Sequence, residues 1–266
     1  MNSLDGRVIW ITGASSGIGR ALANSLSRKG ARLVLSARKM EALEKVKEEC
    51  GLTETNCLLL PFDLEQTAGI HLLAKAVETR FGRIDVLINN GGVSQRSLAI
   101  DTPLELDRKI MELNYFGTIA LTKSVLPYMV RQKQGQIVVI SSVSGKFGFF
   151  LRSAYSASKH ALHGFFESLR MELQDQHIGV LLVCPGKIAT NISKNALKAD
   201  GTAFGKMDEA QAKGLSAEAC AAEILKAMEA GKEEVYIGQT KERTALLIKR
   251  LLPALFSRMI RKQKAE

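Results

Sequence analysis

Seven short apolar runs punctuate this chain: Arg7–Thr12, Arg32–Ser36, Cys57–Phe62, Ile84–Asn89, Gln136–Ser141, Gly179–Cys184 and Glu234–Ile237. Longer amphipathic stretches separate them, as in Lys39–Glu49, where Met40, Leu43 and Val46 form one stripe among Glu and Lys. Several runs are apolar at consecutive positions, Val-Ile-Trp-Ile and Ile-Val-Val-Ile among them. A strand of that kind needs cover on both faces. The pattern therefore predicts an α/β domain with a mostly parallel, doubly wound sheet of seven strands. Ligands in such a fold sit beyond the carboxyl ends of the strands.

With 266 residues, 46% of them hydrophobic, the chain can bury a large core, and no Pro/Gly/Ser-rich linker divides it. Residues 1–240 are read as one domain. Within it, 187–215 is polar, follows Pro185-Gly186 and contains Gly201, Gly205 and Gly214, which predicts a loop covering the substrate. Residues 241–266 form a basic amphipathic extension with eight Lys/Arg against two Glu, a net +6 that leaves +4 of the total +10 for the rest. Charge so concentrated in a tail gives no reason to expect nucleic-acid binding by the body. Cys50, Cys57, Cys184 and Cys220 lack zinc-site spacing and are too few to staple the chain, so reduced thiols are expected. The first residues carry no signal-peptide pattern and no segment reads as membrane-spanning, which predicts a cytoplasmic protein.

Two motifs carry chemistry. Thr12-Gly-Ala-Ser-Ser-Gly-Ile-Gly19 joins the first strand to the first helix. Gly13, Gly17 and Gly19 let backbone approach a pyrophosphate and present free helix N–H groups to it, with Ser15, Ser16 and Ile18 alongside. Downstream, Tyr155 and Lys159 stand four apart, placing a phenol and an ammonium on one helical face. A nearby ammonium favours phenolate and brings a phenol of pKa ~10 toward usable acid–base range. Together the motifs predict a nicotinamide-dependent oxidoreductase.

The spacing Thr-Gly-x-x-x-Gly-Ile-Gly resembles the short-chain dehydrogenase/reductase family, and the resemblance covers residues 12–190. Asn89-Asn-Gly-Gly92 stands where the family has Asn-Asn-Ala-Gly, Asn114 follows, Ser142 lies thirteen before Tyr155, and Pro185-Gly186 precedes Thr190. Residues 190–208 and the basic, Pro-interrupted tail resemble the dehydrogenase/reductase member 7B branch. The resemblance implies a Rossmann-type fold and a catalytic set of Asn114, Ser142, Tyr155 and Lys159. In that set Ser142 and Tyr155 hold the substrate oxygen, Lys159 reaches the nicotinamide ribose, and Asn114 holds a relay water through a helix irregularity. It also implies cofactor contacts at Asp63, Asn90, Gly91, Pro185, Gly186, Ile188 and Thr190, and a homodimer or homotetramer.

Cofactor preference is read at the end of the second strand. Leu33-Val-Leu-Ser-Ala-Arg38 offers no carboxylate for a ribose hydroxyl, whereas Arg38 suits a 2′-phosphate. NADP(H) is expected ahead of NAD(H), although Ser16 stands where many NADP-dependent relatives have a basic residue. The predicted reaction joins a ketone and a secondary alcohol, a lipid-like one included. Reduction of 3-oxoacyl thioesters and a non-catalytic nucleotide-binding scaffold are the alternatives. His160 and His163 are read as structural, with no metal expected. Phe147, Phe149 and Phe150 are read as packing residues or as an apolar lining of the substrate site. In the tail, Ile248, Leu252, Leu255, Phe256 and Met259 share a face that would dock on the body, pair with another subunit, or make peripheral contact with a membrane.

Overall fold

The seven apolar runs lie side by side as parallel strands. In this computed structural model, which describes residues 4–261, the chain runs β1 (Val8–Thr12), α1 (Gly17–Ser27), β2 (Arg32–Ser36), α2 (Met40–Glu49), β3 (Cys57–Leu59), α3 (Ile70–Phe81), β4 (Val86–Asn89) and α4 (Leu104–Met111). It continues through α5 (Gly117–Gln132), β5 (Gly135–Ile140), α6 (Ser153–Glu172), β6 (Ile178–Pro185), β7 (Ile188–Ala189) and α7 (Glu209–Ala212). The last elements are β8 (Leu215–Ser216), α8 (Ala217–Glu229), β9 (Glu234–Ile237), α9 (Thr240–Leu251) and α10 (Pro253–Ile260). The main sheet has the order β3-β2-β1-β4-β5-β6-β9. The third strand is shorter than its apolar run, yet Leu60 N–H still bonds Leu35 O at 3.0 Å and Phe62 N–H bonds Ala37 O at 3.1 Å.

Alternation of side chains divides the core. Ile9, Ile11, Leu33 and Leu35 pack with residues of α1 and α8 on one face; Val8, Trp10, Val34 and Leu87 pack with α3, α5 and α6 on the other. Strand order reverses between β1 and β4, so the loops leaving those strands, Thr12–Gly19 and Asn89–Gly92, open a crevice at the sheet's carboxyl edge.

Segment 187–215 is more structured than its polar, glycine-containing sequence predicts. β7 and β8 pair in parallel, α7 lies between them, and Leu197 bridges both Gln95 and Ala203. The predicted loop takes this form because its backbone groups find partners in the 94–97 segment: Leu197 N–H donates to Ser94 O at 2.9 Å and Arg96 N–H to Leu197 O at 2.8 Å.

The tail folds against the body. Pro253 opens α10, where its missing N–H costs no helical hydrogen bond. The resulting break separates residues predicted to share a face: Phe256 is buried, while Leu252, Leu255 and Met259 are exposed. Lys249 Nζ donates to Lys146 O. Phe256 meets Phe147 edge-on at 5.0 Å, and Phe147 stacks on Phe149 at 4.8 Å. Of the eight basic tail residues, Lys262 and Lys264 lie outside the described residues. Among the described residues no helix is long and apolar enough to cross a membrane.

Candidate active site

A cavity of about 590 Å³ occupies the crevice. Gly13, Ser15, Ser16, Gly17, Ile18, Arg38, Asp63, Asn90, Gly91, Pro185, Gly186, Ile188 and Thr190 line it, as do Ser142, Tyr155 and Lys159. Gly19 and Asn114 stand behind this lining. At Gly19 a Cβ would fall 2.3 Å from Gly13 O and 2.6 Å from Asn90 Nδ2, an overlap with backbone that only glycine avoids. Thr12 Oγ1 accepts from Asn90 N–H and Gly91 N–H, each at 2.9 Å. Asn90 Nδ2 donates back to Thr12 O at 2.9 Å and Gly13 O at 3.2 Å, so this amide ties the two loops together. The resulting backbone cradle at the start of α1 fits a pyrophosphate. Gly91, where the family has alanine, accommodates Leu64: a Cβ there would lie 2.5 Å from Leu64 Cδ1.

Side chains at the cradle's outer end differ in their freedom. Arg38 is exposed and makes no hydrogen bond or ion pair among the described residues. The nearby Asp63 accepts Glu65 N–H at 3.1 Å.

The catalytic candidates converge from three elements. Tyr155 and Lys159 project from α6 into the cavity, both buried. Ser142, just past β5, lines the cavity with Tyr155, accepts Ser144 N–H at 3.1 Å and donates to Pro185 O at 3.5 Å. Its neighbours are engaged differently: Ser141 Oγ lies 3.1 Å from His163 Nε2, and Ser144 Oγ is buried. Lys159 Nζ donates to Ile140 O at 2.8 Å. Residues 112–116 form a π-helical turn with Asn114 at its centre, the kind of irregularity that resemblance implies. Asn114 Oδ1 accepts Val93 N–H at 2.8 Å, while its Nδ2 donates to Val93 O at 2.9 Å and Ser158 Oγ at 3.0 Å. Asn114 and Lys159 approach the same backbone, since a Cβ on Gly92 would lie 3.1 Å from Asn114 Oδ1 and 3.6 Å from Lys159 Nζ.

Electrostatics add Arg152 to the groups that act on Tyr155. Burial raises the Tyr155 pKa, opposed by the Arg152 guanidinium and the Ser142 hydroxyl. Lys159 sits 5.9 Å from the Tyr155 ring centroid, and its own burial brings its pKa down to about 8. Arg152 belongs to the same cavity. Sequence spacing does not distinguish it, because its partner Asp208 is brought near only by the fold of segment 187–215.

Gln95 was equally invisible in sequence. Its Oε1 accepts Ala154 N–H at 2.8 Å and Tyr155 N–H at 3.3 Å, capping α6 from across the fold. The three phenylalanines do not line the cavity; Phe147 is occupied by Phe149 and Phe256. His160 Nδ1 lies 2.8 Å from Ser156 O. His163 meets Cys184 and Glu234, with donor atoms of the three within 4.8 Å of one another, and Lys146 Nζ stands 2.6 Å from that Glu234 carboxylate.

A family model described as short chain dehydrogenase matches residues 7–201, the stretch that builds this cradle and the Ser-Tyr-Lys cluster. The chain belongs to the short-chain dehydrogenase family. As a member it is a nicotinamide-dependent oxidoreductase. It is similar to dehydrogenase/reductase SDR family member 7B of Bos taurus, 42% identical over 259 residues covering 95% of this chain and 80% of that one. Human SDR family member 7 is 45% identical over 238 residues, 87% and 70% of the respective chains. Among solved structures, a short-chain dehydrogenase from Streptomyces avermitilis superposes with TM-score 0.81 at 29% identity, covering 96% of both chains. A short-chain dehydrogenase/reductase from Burkholderia phymatum, in complex with NAD, shares the fold with TM-score 0.83 at 23% identity, covering 100% of this chain and 98% of that one.

Proposed function

We propose that this protein is an NADP(H)-preferring reductase of ketones, acting reversibly on secondary alcohols, with Tyr155 as the acid–base group. The observation that carries this reading is that Ser142, Tyr155 and Lys159 line the same cavity as Gly13 and Gly17. When bound, the nicotinamide supplies or accepts the hydride. Ser142 orients the substrate oxygen, and Tyr155 donates its phenolic proton to that oxygen during reduction. Lys159 holds the ribose, and Asn114 fixes the backbone of Gly92 and Val93 beside it. In the oxidative direction Tyr155 takes the proton back, which requires the phenolate that Arg152 and Ser142 favour.

Preference for the 2′-phosphate rests on Arg38, whose guanidinium at the cavity rim is unengaged among the described residues. The NAD complex of the Burkholderia protein keeps NAD(H) as the alternative. Titration of reduced-nicotinamide fluorescence separates them: Arg38→Ala should weaken NADPH about tenfold or more and NADH little, consistent with one charge-assisted contact. Equal NADH and NADPH affinity in the unaltered protein would overturn the preference.

3-Oxoacyl thioesters remain the second substrate class, and comparison of a thioester with a simple ketone tests it directly. The scaffold reading would stand if Tyr155→Phe kept both cofactor binding and cellular role. A homodimer or homotetramer is proposed to form through the α4–α6 face, where exposed Leu104 and Phe116 flank a groove of about 530 Å³. A cytoplasmic location, with peripheral membrane contact through the tail, is proposed on the exposed Leu247, Leu251, Leu252, Leu255 and Met259 beside Arg250 and Arg258.

A further inference from the structure

Arg152 stands just ahead of α6, less than one helical turn before Tyr155, and lines the cavity with Tyr155 and Ser142. Its side chain is only 20% exposed, yet among the described residues it makes no hydrogen bond, and its one ion-pair partner is Asp208 Oδ2 at 3.6 Å. That oxygen is already held more closely by Arg96, whose side chain is 5% exposed. Asp208 Oδ1 is committed elsewhere, accepting Ala210 N–H at 3.0 Å and Gln211 N–H at 3.4 Å at the start of α7. Arg96 Nε is buried without a partner.

Two largely buried guanidiniums thus share one carboxylate, leaving one positive charge in excess and Arg152 with no side-chain hydrogen bond to protein among the described residues, its guanidinium open to the cavity. Burying a guanidinium in that condition is unfavourable unless an anion completes it. The other carboxylates lining the cavity, Asp63 and Glu65, belong to its cofactor half, and Glu65 faces Lys109 at 4.0 Å. The pyrophosphate is assigned to the cradle at the start of α1, so neither group answers Arg152. A planar guanidinium matches a carboxylate in geometry, and an excess of one charge matches a monoanion.

We infer that Arg152 anchors a carboxylate carried by the substrate, making the substrates oxo acids and the corresponding hydroxy acids. The inference rests on the carbonyl-reductase reading for its chemistry but concerns a separate contact. The same anchor explains how a cavity without the aromatic segment selects its ligand. It fits a lipid-like ketone whose acid group lies at Arg152 and whose carbonyl reaches Ser142 and Tyr155.

The test compares a graded series of oxo acids, the carbonyl progressively farther from the carboxylate, with their methyl esters. Binding to the enzyme–NADPH complex is read by nicotinamide fluorescence, and turnover by loss of NADPH absorbance. At least one acid should bind about tenfold or more tightly than its ester, the size expected for a charge-assisted contact. Arg152→Gln should bring that ratio close to one, Arg152→Lys should regain part of it, and Asp208→Asn should sharpen it by removing the competing carboxylate. Circular dichroism verifies that the variants are folded. Equal binding of acid and ester, binding of neither, or an unchanged ratio in folded Arg152→Gln would overturn the inference. A strong acid preference without turnover would instead sink the reductase reading and leave the anchor standing, whereas equal turnover of acids and esters would do the reverse.

Discussion

Burial acts in opposite senses on the two side chains that the α6 motif pairs. It keeps the Tyr155 hydroxyl protonated and lowers the Lys159 pKa to about 8. Ketone reduction needs the phenol and the ammonium, and the ammonium is the first to be lost as pH rises. Reductive kcat/KM should therefore fall as pH increases through about 8, while alcohol oxidation should rise as phenolate becomes accessible. A flat profile for reduction across that value would count against Lys159 acting as a cation. Removing the phenolic proton altogether is a sharper test. Tyr155→Phe should lower kcat by about 10²–10⁴-fold with cofactor affinity retained.

At the scale of elements, α6 depends on Gln95, since two of its first N–H groups end on that one amide oxygen. Gln95→Leu should cost about 1–3 kcal/mol through the unmet donors, seen as a lower urea midpoint. Because Tyr155 N–H is one of those donors, kcat should fall with it. The residues of α6 could be read from sequence because helical spacing alone puts Tyr155 and Lys159 on one face, and the strands because consecutive apolar positions demand two covered faces. Gln95 and Arg152 could not, since their partners lie 59 and 56 residues away and no local periodicity links them. The aromatic segment was ambiguous for a related reason: nothing near Phe147 in sequence indicates that Phe256 will cover it. In the tail, Pro253 marked a break, but only the folded chain shows how that break turns Phe256 inward and its neighbours outward.

For the whole molecule, stability in alkali is governed by groups far from the chemistry. Burial raises the Cys57 and Cys220 thiols to about 12 and moves Cys184 in the same direction. Between the ordinary thiol range and that of lysine, the unfolded chain releases thiol protons that the native state keeps, and these outnumber the one Lys159 proton that the native state has lost. The native state then holds more protons than the unfolded chain, so stability should fall as pH rises from about 9 to about 10. Urea midpoints across that window measure it, and a rising midpoint would contradict the burial of the thiols. Assembly is testable by light scattering: Phe116→Asp should reduce the molar mass if the α4–α6 face joins subunits. Glu242 of α9 meanwhile packs against Gly186, where a Cβ would lie 3.2 Å from its Cγ. A stop codon just ahead of residue 242 would therefore leave every motif from 12 to 190 legible while removing the buttress behind the cavity wall at Gly186. A genome survey scoring such an allele by its motifs would count as functional a gene whose product has lost a support of its cavity wall.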